Sequence, residues 1–284
     1  NAAFRRVLAA RVRPGDAVVD IGSGSGIWAV VAAGLGARRV VAIEREELLC
    51  RVIERLAREN GVADRVEVLC VDAYKAGLTR EFDMAIGEMI GTAGFEEGIV
   101  GHMAHAREQF VRPGGVLVPE MVGLQAAPAT TPGLSPADLK TESFGSLAGQ
   151  VPHWIGPGRL RTLTRSRRLL SVDLRKAEPA QALPPGRAEF ALHDASEVSG
   201  LGVWVVARLA PGILLSTRTG THWGGTLLPI ERLPKGPGRV RFEVDWNPGR
   251  RRWRIDFEGG DGSHTTAEHG PGFALGAVLL GPRG

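Results

Sequence analysis

The sequence has little cysteine, little tyrosine and no long apolar run. Of its 284 residues two are cysteine and one is tyrosine. Cys50 and Cys70 are far apart in the chain and match no metal-ligand spacing, so we expect reduced thiols in a cytoplasmic protein. No segment approaches the roughly 18 apolar residues of a membrane-spanning helix, so no membrane partner is expected. The chain opens at Asn1 within a predicted helix, and we expect a segment upstream of it.

Lysine is also scarce, and nearly all basic residues are arginine. The formal net charge is +4 and the isoelectric point about 9.6. The densest basic run is Arg165-Ser166-Arg167-Arg168, followed by Arg175-Lys176. A nucleic-acid site would interleave aromatic side chains with such charges. This run has none, so it is interpreted as a solvated face, and nucleic acid is not an expected partner.

In the first half, short apolar runs alternate with helical patterns, as in a doubly wound α/β domain with a parallel sheet. The length of the chain favours two domains, and we place the first at residues 1–119. Strands are predicted at 17–21, 39–43, 66–71, 82–86 and 116–118, and helices at 2–10, 27–35, 46–59 and 98–110.

The second half, residues 120–284, has short apolar or alternating runs separated by Gly and Pro. Strands are predicted at 202–207, 212–216, 239–244 and 253–257. This spacing is typical of an antiparallel β-barrel or sandwich. Residues 131–187 are rich in Pro, Gly, Ser and Arg, and they show no clear periodicity from which a secondary structure can be predicted.

A glycine loop, Asp20-Ile21-Gly22-Ser23-Gly24-Ser25-Gly26, follows the first strand. A dinucleotide fingerprint would need its third glycine at position 27, which is Ile27, so a nicotinamide oxidoreductase is disfavoured. The loop resembles the D-x-G-x-G-x-G loop of S-adenosylmethionine-dependent methyltransferases. Glu44 and Asp72 end the next two strands, where open parallel sheets bind ligands. The resemblance implies that Glu44 accepts from both ribose hydroxyls, and that Asp72 faces the adenine amino group.

The predicted cofactor is therefore S-adenosyl-L-methionine. The cofactor-binding residues that we predict are Asp20, Gly22, Ser23, Gly24, Glu44, Asp72, Ala73 and Glu88.

Two carboxylates, Glu88 and Glu97, stand nine residues apart on a glycine-rich loop after the fourth strand. Such a pair suits a planar, doubly donating cation such as guanidinium. A simpler interpretation is that Glu96 and Glu97 only stabilise a helix N-terminus.

Glu88-Met89-Ile90-Gly91 with Glu97 resembles the double-glutamate loop of the protein arginine methyltransferase family. Thr221-His222-Trp223 resembles the Thr-His-Trp loop of that family, and Pro119 matches the point where its chain enters a β-barrel. The resemblance covers about residues 16–125 and 190–260. It implies an S-adenosylmethionine-dependent N-methyltransferase acting on the arginine guanidino group of a protein or peptide.

The resemblance also implies roles for individual residues. Glu88, Glu97 and His222 are the predicted catalytic residues, and Met89 and Trp223 are predicted to contact the substrate. A homodimer is expected, with a short dimerisation arm within residues 131–187, around residues 139–147. The family has Trp and Met where this chain has Met89 and Ile90, which leaves the methylation product open.

Three alternatives remain open. The enzyme could methylate another amine or guanidine in a small-molecule or peptide biosynthetic pathway, it could act on RNA, or it could be a non-catalytic relative that binds the cofactor. No metal is predicted: His102 and His105 lie three apart on a helix, but no third ligand has a suitable spacing. They are interpreted as helix surface or packing.

Overall fold

The structure is a computed structural model, and it describes residues 2–91, 94–130, 153–180, 182–218, 221, 223–230, 233–247 and 252–269. Two kinds of sheet follow one another along the chain, a parallel one and then two antiparallel ones. Among these residues, none of the helices combines the length and the apolar composition that crossing a bilayer requires.

The first half is a five-stranded parallel sheet in the order β3-β2-β1-β4-β5. This order confirms the predicted doubly wound architecture. Its strands are β1 (Ala17–Ile21), β2 (Arg39–Glu44), β3 (Val66–Cys70), β4 (Phe82–Gly87) and β5 (Val111–Val118). Its helices are α1 (Ala2–Arg11), α2 (Ile27–Gly34), α3 (Glu47–Glu59) and α4 (Ile99–Gln109).

Burial explains why these segments form these elements. Every residue of β1 is buried, as expected for a central strand covered on both faces. Helix α3 instead buries one stripe, with Ile53 and Ala57 inside and charged residues outside. It ends at Glu59, Asn60 is its C-cap, and Gly61 follows with a φ of 66°.

Strand β5 starts earlier than the predicted 116–118. It begins at Val111 and includes Pro113-Gly114-Gly115, which lies outside the predicted strand. The register to β4 shifts between Phe82 and Met84, so a bulge accommodates the extra residues.

The second half consists of antiparallel strands in two sheets. The larger sheet has the strand order β7-β13-β11-β6-β8, with β12 paired to β11 and β9 paired to β6. The other sheet has the order β10-β14-β15-β16. Because β9 of one sheet contacts β10 of the other, the strands close into a barrel-like body. The predicted antiparallel barrel is therefore confirmed. The strands are β6 (Met121–Thr130), β7 (His153–Ile155), β8 (Arg161–Thr162), β9 (Arg167–Asp173), β10 (Gly186–Leu192), β11 (Gly200–Ala210), β12 (Ile213–Ser216), β13 (Gly225–Pro229), β14 (Gly238–Asp245), β15 (Arg252–Gly259) and β16 (His264–His269).

The two halves meet at Glu120. A cis peptide bond joins Val118 to Pro119, and β6 begins two residues later. The carboxylate of Glu120 is buried and lies 3.2 Å from Arg208 Nε on β11. Arg11 and Arg175 each approach the same carboxylate to 3.8 Å. The change of sheet type at this point supports the predicted boundary after residue 119, which stays a prediction.

The expectation of reduced thiols is wrong. Cys50 on α3 and Cys70 at the end of β3 form a disulfide, with their Cα atoms 5.9 Å apart. The pairing arises because α3 packs back against β3, which brings together residues 20 positions apart in the chain. Sequence spacing gave no sign of this contact.

The predicted dimerisation arm falls largely outside the described residues. Residues 131–152, with the arm expected around 139–147, are among those that the structure does not describe. The described residues between 153 and 187 form β7, β8, β9 and the start of β10, and contain no helix.

Candidate active site

The carboxyl ends of the parallel strands open on a cavity of about 510 Å³. This is where open α/β sheets bind their ligands, and the size suits a small molecule. The cavity is lined by Ile21, Gly22, Ile43, Glu44, Arg45, Val71, Asp72, Ala73, Met89, Glu96, Glu97 and His102.

The glycine loop forms one wall of this cavity. Gly22, Gly24 and Gly26 have φ angles of 62°, 57° and 79°, the left-handed region that glycine adopts without strain. A Cβ at Gly26 would also lie only 2.8 Å from Cγ2 of Ile53 on α3. The loop is thus held tightly against α3, and backbone rather than side chains faces the cavity.

Asp20 supports the loop from below. It is buried, and its Oδ2 accepts a 2.6 Å hydrogen bond from the Ser23 hydroxyl. Burial raises the pKa of Asp20 to about 7, against the lowering effect of the Ser23 hydrogen bond. Neither residue lines the cavity, so the structure places both in the support of the loop.

Glu44, at the end of β2, is the most constrained carboxylate of the site. Its Oε2 accepts from the Gly24 N–H at 2.8 Å, and its Oε1 accepts from the N–H groups of Arg45 and Glu46 at 2.8 and 3.0 Å. A carboxylate offers about four lone-pair positions. One acceptor position therefore remains for a ligand, whereas the resemblance implied that Glu44 accepts from both ribose hydroxyls.

Asp72 follows β3 and caps the 3-10 turn Ala73–Lys75. Its Oδ1 accepts from the Tyr74 N–H at 2.9 Å, which leaves the other oxygen available. Asp72 and Ala73 both line the cavity, one strand away from Glu44. The predicted ribose and adenine positions thus lie along one wall.

The loop from β4 to α4 carries the predicted pair of glutamates. Glu97 lines the cavity, and Glu88 is half-buried just beyond the end of β4. Burial raises the pKa of Glu88 to about 8, with further contributions from the charges of Glu97 and Asp20. Burial also raises the pKa of Glu97, and the charge of Glu96 adds to it. The loop therefore holds several carboxyl groups whose negative charges disfavour one another.

Met89 and Glu96 lie in the same wall. Met89, a predicted substrate contact, is buried and lines the cavity; a Cβ on Gly22 would lie 3.1 Å from its Sδ. Glu96 packs closely over Gly91, where an added Cβ would lie 2.3 Å from its Cδ. Glu96 was considered only as a helix-stabilising charge, and its place in the wall goes beyond that interpretation.

The barrel loop with the Thr-His-Trp motif is partly described. Thr217 is buried and accepts from the Val205 N–H at 3.0 Å, and Thr221 donates to the Thr217 carbonyl at 3.1 Å. The Trp223 carbonyl accepts from Nε1 of Trp154 on β7. The loop is therefore anchored on both sides. His222, a predicted catalytic residue, lies outside the described residues.

The sequence interpretation of His102 was incomplete. Its ring does pack against another side chain, Tyr74, but it also lines the cavity that Asp72 lines. A sign of this was available, because His102 stands in the first turn of α4, one turn beyond Glu97. His105 contacts Tyr74 and Phe110 and is not among the lining residues.

Comparisons with known proteins agree with this geometry. Residues 5–119 match the family model "Ribosomal protein L11 methyltransferase (PrmA)". Over 250 residues the chain is 26% identical to the "Arginine N(omega)-methyltransferase" of Streptomyces achromogenes subsp. streptozoticus, covering 82% of this chain and 68% of that one. It is 25% identical to "Protein arginine N-methyltransferase 6" of Xenopus tropicalis, covering 89% of this chain and 83% of that one.

The fold has a solved counterpart in the "Trypanosoma brucei PRMT1 enzyme-prozyme heterotetrameric complex with AdoHcy". The TM-score is 0.77 at 21% identity, covering 94% of this chain and 93% of that one. Fold and cavity define a methyltransferase domain followed by a barrel. The resemblance noted from the motifs is confirmed by these similarities to proteins named as arginine methyltransferases.

Proposed function

We propose that the protein transfers a methyl group from S-adenosylmethionine to a guanidino nitrogen of arginine. The observation that carries this proposal is the Glu88–Glu97 loop. Glu88 is half-buried, and Glu97 is exposed and lines the cavity. The pKa values of both are raised, and the charge of Glu97 opposes ionisation of Glu88. A bound cation relieves this opposition, and a flat guanidinium can donate hydrogen bonds to both carboxylates at once.

The cavity residues fit the cofactor by their chemistry. The glycine loop presents backbone, Glu44 retains one acceptor position, and Asp72 has a free carboxylate oxygen. These groups would hold the methionine part, the ribose and the adenine in that order along the strand ends. When bound, S-adenosylmethionine supplies an electrophilic methyl group on a sulfonium, which becomes a neutral thioether as the methyl leaves.

Positioning then accounts for most of the catalysis. A guanidinium nitrogen is a poor nucleophile because its lone pair is delocalised over the charged group. Glu88 and Glu97, both ionised, would accept from its N–H groups and fix one terminal nitrogen in line with the methyl group. They would also draw the positive charge toward the other nitrogens. The methylated nitrogen then loses a proton, for which Glu97 or His222 is the proposed acceptor.

The proposed acceptor is an arginine within a protein or peptide. Met89 and Trp223 are its proposed contacts. Support comes from the relatives named as protein arginine methyltransferases, whereas the Streptomyces relative is named for arginine without reference to a protein. Free arginine and an arginine-containing peptide are therefore the two acceptors to compare in the assay.

A homodimer and a cytoplasmic location complete the proposal. Leu48 and Val52 lie one turn apart on α3 and are exposed, Leu48 by 74%, and Ile27 on the adjacent α2 is also exposed. Exposed apolar residues on neighbouring helices are typical of a protein contact. Reduced thiols were one reason to expect a cytoplasmic protein, and the disulfide removes that reason. The proposed location therefore rests on the proposed activity alone.

The test is methyl transfer by the wild type and by Glu88→Gln and Glu97→Gln variants. Glu59→Gln is the matched control, because Glu59 is an exposed residue at the end of α3 that pairs with Arg55. We expect each active-site variant to lose at least a hundredfold in turnover while still binding S-adenosylhomocysteine, and Glu59→Gln to keep the wild-type rate. Wild-type turnover in both active-site variants would refute the assignment.

A further inference from the structure

His102 is fixed by contacts on two sides. Its Nδ1 lies 3.0 Å from the carbonyl oxygen of Gly98, the residue before α4. Its ring lies 4.8 Å from that of Tyr74, with 40° between the planes. Gly101 permits this packing, because a Cβ there would lie 2.7 Å from the Tyr74 hydroxyl. The imidazole is thus held against the wall of the cavity.

The Gly98 contact defines what the ring can offer to a ligand. A carbonyl oxygen only accepts, so Nδ1 must carry the hydrogen and donate to it. In the neutral ring Nε2 is then an acceptor with no hydrogen. His102 therefore combines an oriented ring with an acceptor nitrogen.

The position of His102 along the cavity indicates which part of a ligand it meets. Tyr74 follows Ala73, and the Tyr74 N–H donates to Asp72. The ring contact with Tyr74 places His102 next to the turn that Asp72 caps, and His102, Asp72 and Ala73 all line the cavity. In the proposed function, on which this inference rests, this part of the cavity holds the base of the cofactor.

We propose that His102 selects the 6-aminopurine of the cofactor. The exocyclic amine has two N–H groups, and the site offers two acceptors for them, the free oxygen of Asp72 and Nε2 of His102. A 6-oxopurine presents an oxygen and a ring N–H at the same edge, which leaves an acceptor facing an acceptor. The structure thereby assigns to His102 a specificity role beyond packing.

The experiment measures binding by calorimetry with S-adenosylhomocysteine and with its 6-oxo analogue, S-inosylhomocysteine. We expect the wild type to prefer the amino compound. The dissociation constant of the 6-oxo analogue divided by that of S-adenosylhomocysteine measures this preference, and His102→Ala should reduce that ratio by about fivefold, the effect of one hydrogen bond. His102→Gln, whose amide oxygen can replace Nε2 as acceptor, should recover part of the ratio.

His105→Ala is the matched control. His105 contacts Tyr74 at the same 4.8 Å but does not line the cavity. If His102 acted only by supporting Tyr74, both alanine variants would weaken the two ligands alike, and the ratio would stay at the wild-type value. That result would overturn the inference but leave the proposed function intact. Failure of the wild type to bind S-adenosylhomocysteine would overturn both.

Discussion

The backbone N–H of Gly24 donates a 2.8 Å hydrogen bond to Oε2 of Glu44. This bond joins the loop after β1 to the end of β2, and it uses an acceptor position that a ribose hydroxyl would otherwise take. Glu44 thus shapes the glycine loop as well as the cavity. Both roles can be measured in one variant.

Glu44→Gln should weaken both the protein and its ligand binding. An amide nitrogen cannot accept, so one or two of the three backbone N–H groups bonded to Glu44 would lose a partner. We expect a loss of about 1–3 kcal/mol in the free energy of unfolding and at least tenfold weaker binding of S-adenosylhomocysteine. Urea denaturation and calorimetry measure the two effects. Glu46→Gln, at an exposed neighbour, should change neither; wild-type behaviour of Glu44→Gln would contradict this account.

The pKa of Glu88, about 8, makes both stability and activity depend on pH. Because this value lies above the ordinary 4.5 of a glutamate, the folded state binds more protons than the unfolded state between pH 4.5 and 8. Stability from this group is therefore present below pH 4.5 and is lost as the pH rises to 8. We expect Glu88→Gln to be more stable than the wild type at pH 9, by on the order of 1 kcal/mol, and less different at pH 5.

The same titration affects catalysis in the opposite direction. The ionised carboxylate is the form that binds guanidinium, so kcat/KM for an arginine substrate should rise with pH and level off above about pH 8. The measurement is a pH profile of kcat/KM between pH 6 and 9.5. A profile that is flat across this range would show that Glu88 is already ionised in the free enzyme.

The Glu120 cluster should stabilise the junction between the two halves. The Glu120 carboxylate is buried, and removing it by Glu120→Ala leaves Arg208 without its 3.2 Å partner. We expect a loss of about 3 kcal/mol in the free energy of unfolding. Arg11→Ala should cost less than about 1 kcal/mol, because Arg11 is more exposed and 3.8 Å away. Equal effects of both substitutions in chemical denaturation would refute this ranking.

The Cys50–Cys70 disulfide should stabilise the cofactor domain. It closes a loop between residues 20 positions apart, for which the chain-entropy estimate is about 3 kcal/mol. A dithiol reductant should therefore lower the melting temperature of the wild type and leave a Cys50→Ser/Cys70→Ser variant unchanged. Thiol titration of the denatured, unreduced protein should find both cysteines blocked. Two free thiols there would contradict the bond.

The sequence was most informative where function depends on strand ends. β1, β2 and β3 are marked by apolar runs, so Glu44 and Asp72 could be placed at one edge of the sheet before their contacts were known. Both residues line the cavity. The residue that stands at the end of a strand is determined by the local sequence, so a local sequence pattern can predict it.

Contacts made by packing between distant elements could not be predicted in this way. The Cys50–Cys70 bond depends on how α3 lies on β3, and the place of His102 depends on how α4 lies over Tyr74. Neither leaves a periodic trace in the sequence. That Glu44 keeps one acceptor position likewise follows from counting its hydrogen bonds, and this count requires the three-dimensional structure.

The central claim is that a guanidino group accepts the methyl group. The most direct measurement is tandem mass spectrometry of two peptides after incubation with labelled S-adenosylmethionine, one with arginine and one with citrulline, its neutral planar analogue, at the same position. We predict that the label appears on a guanidino nitrogen of the arginine peptide and that the citrulline peptide is unlabelled. Label on another side chain, or equal labelling of both peptides, would contradict the account.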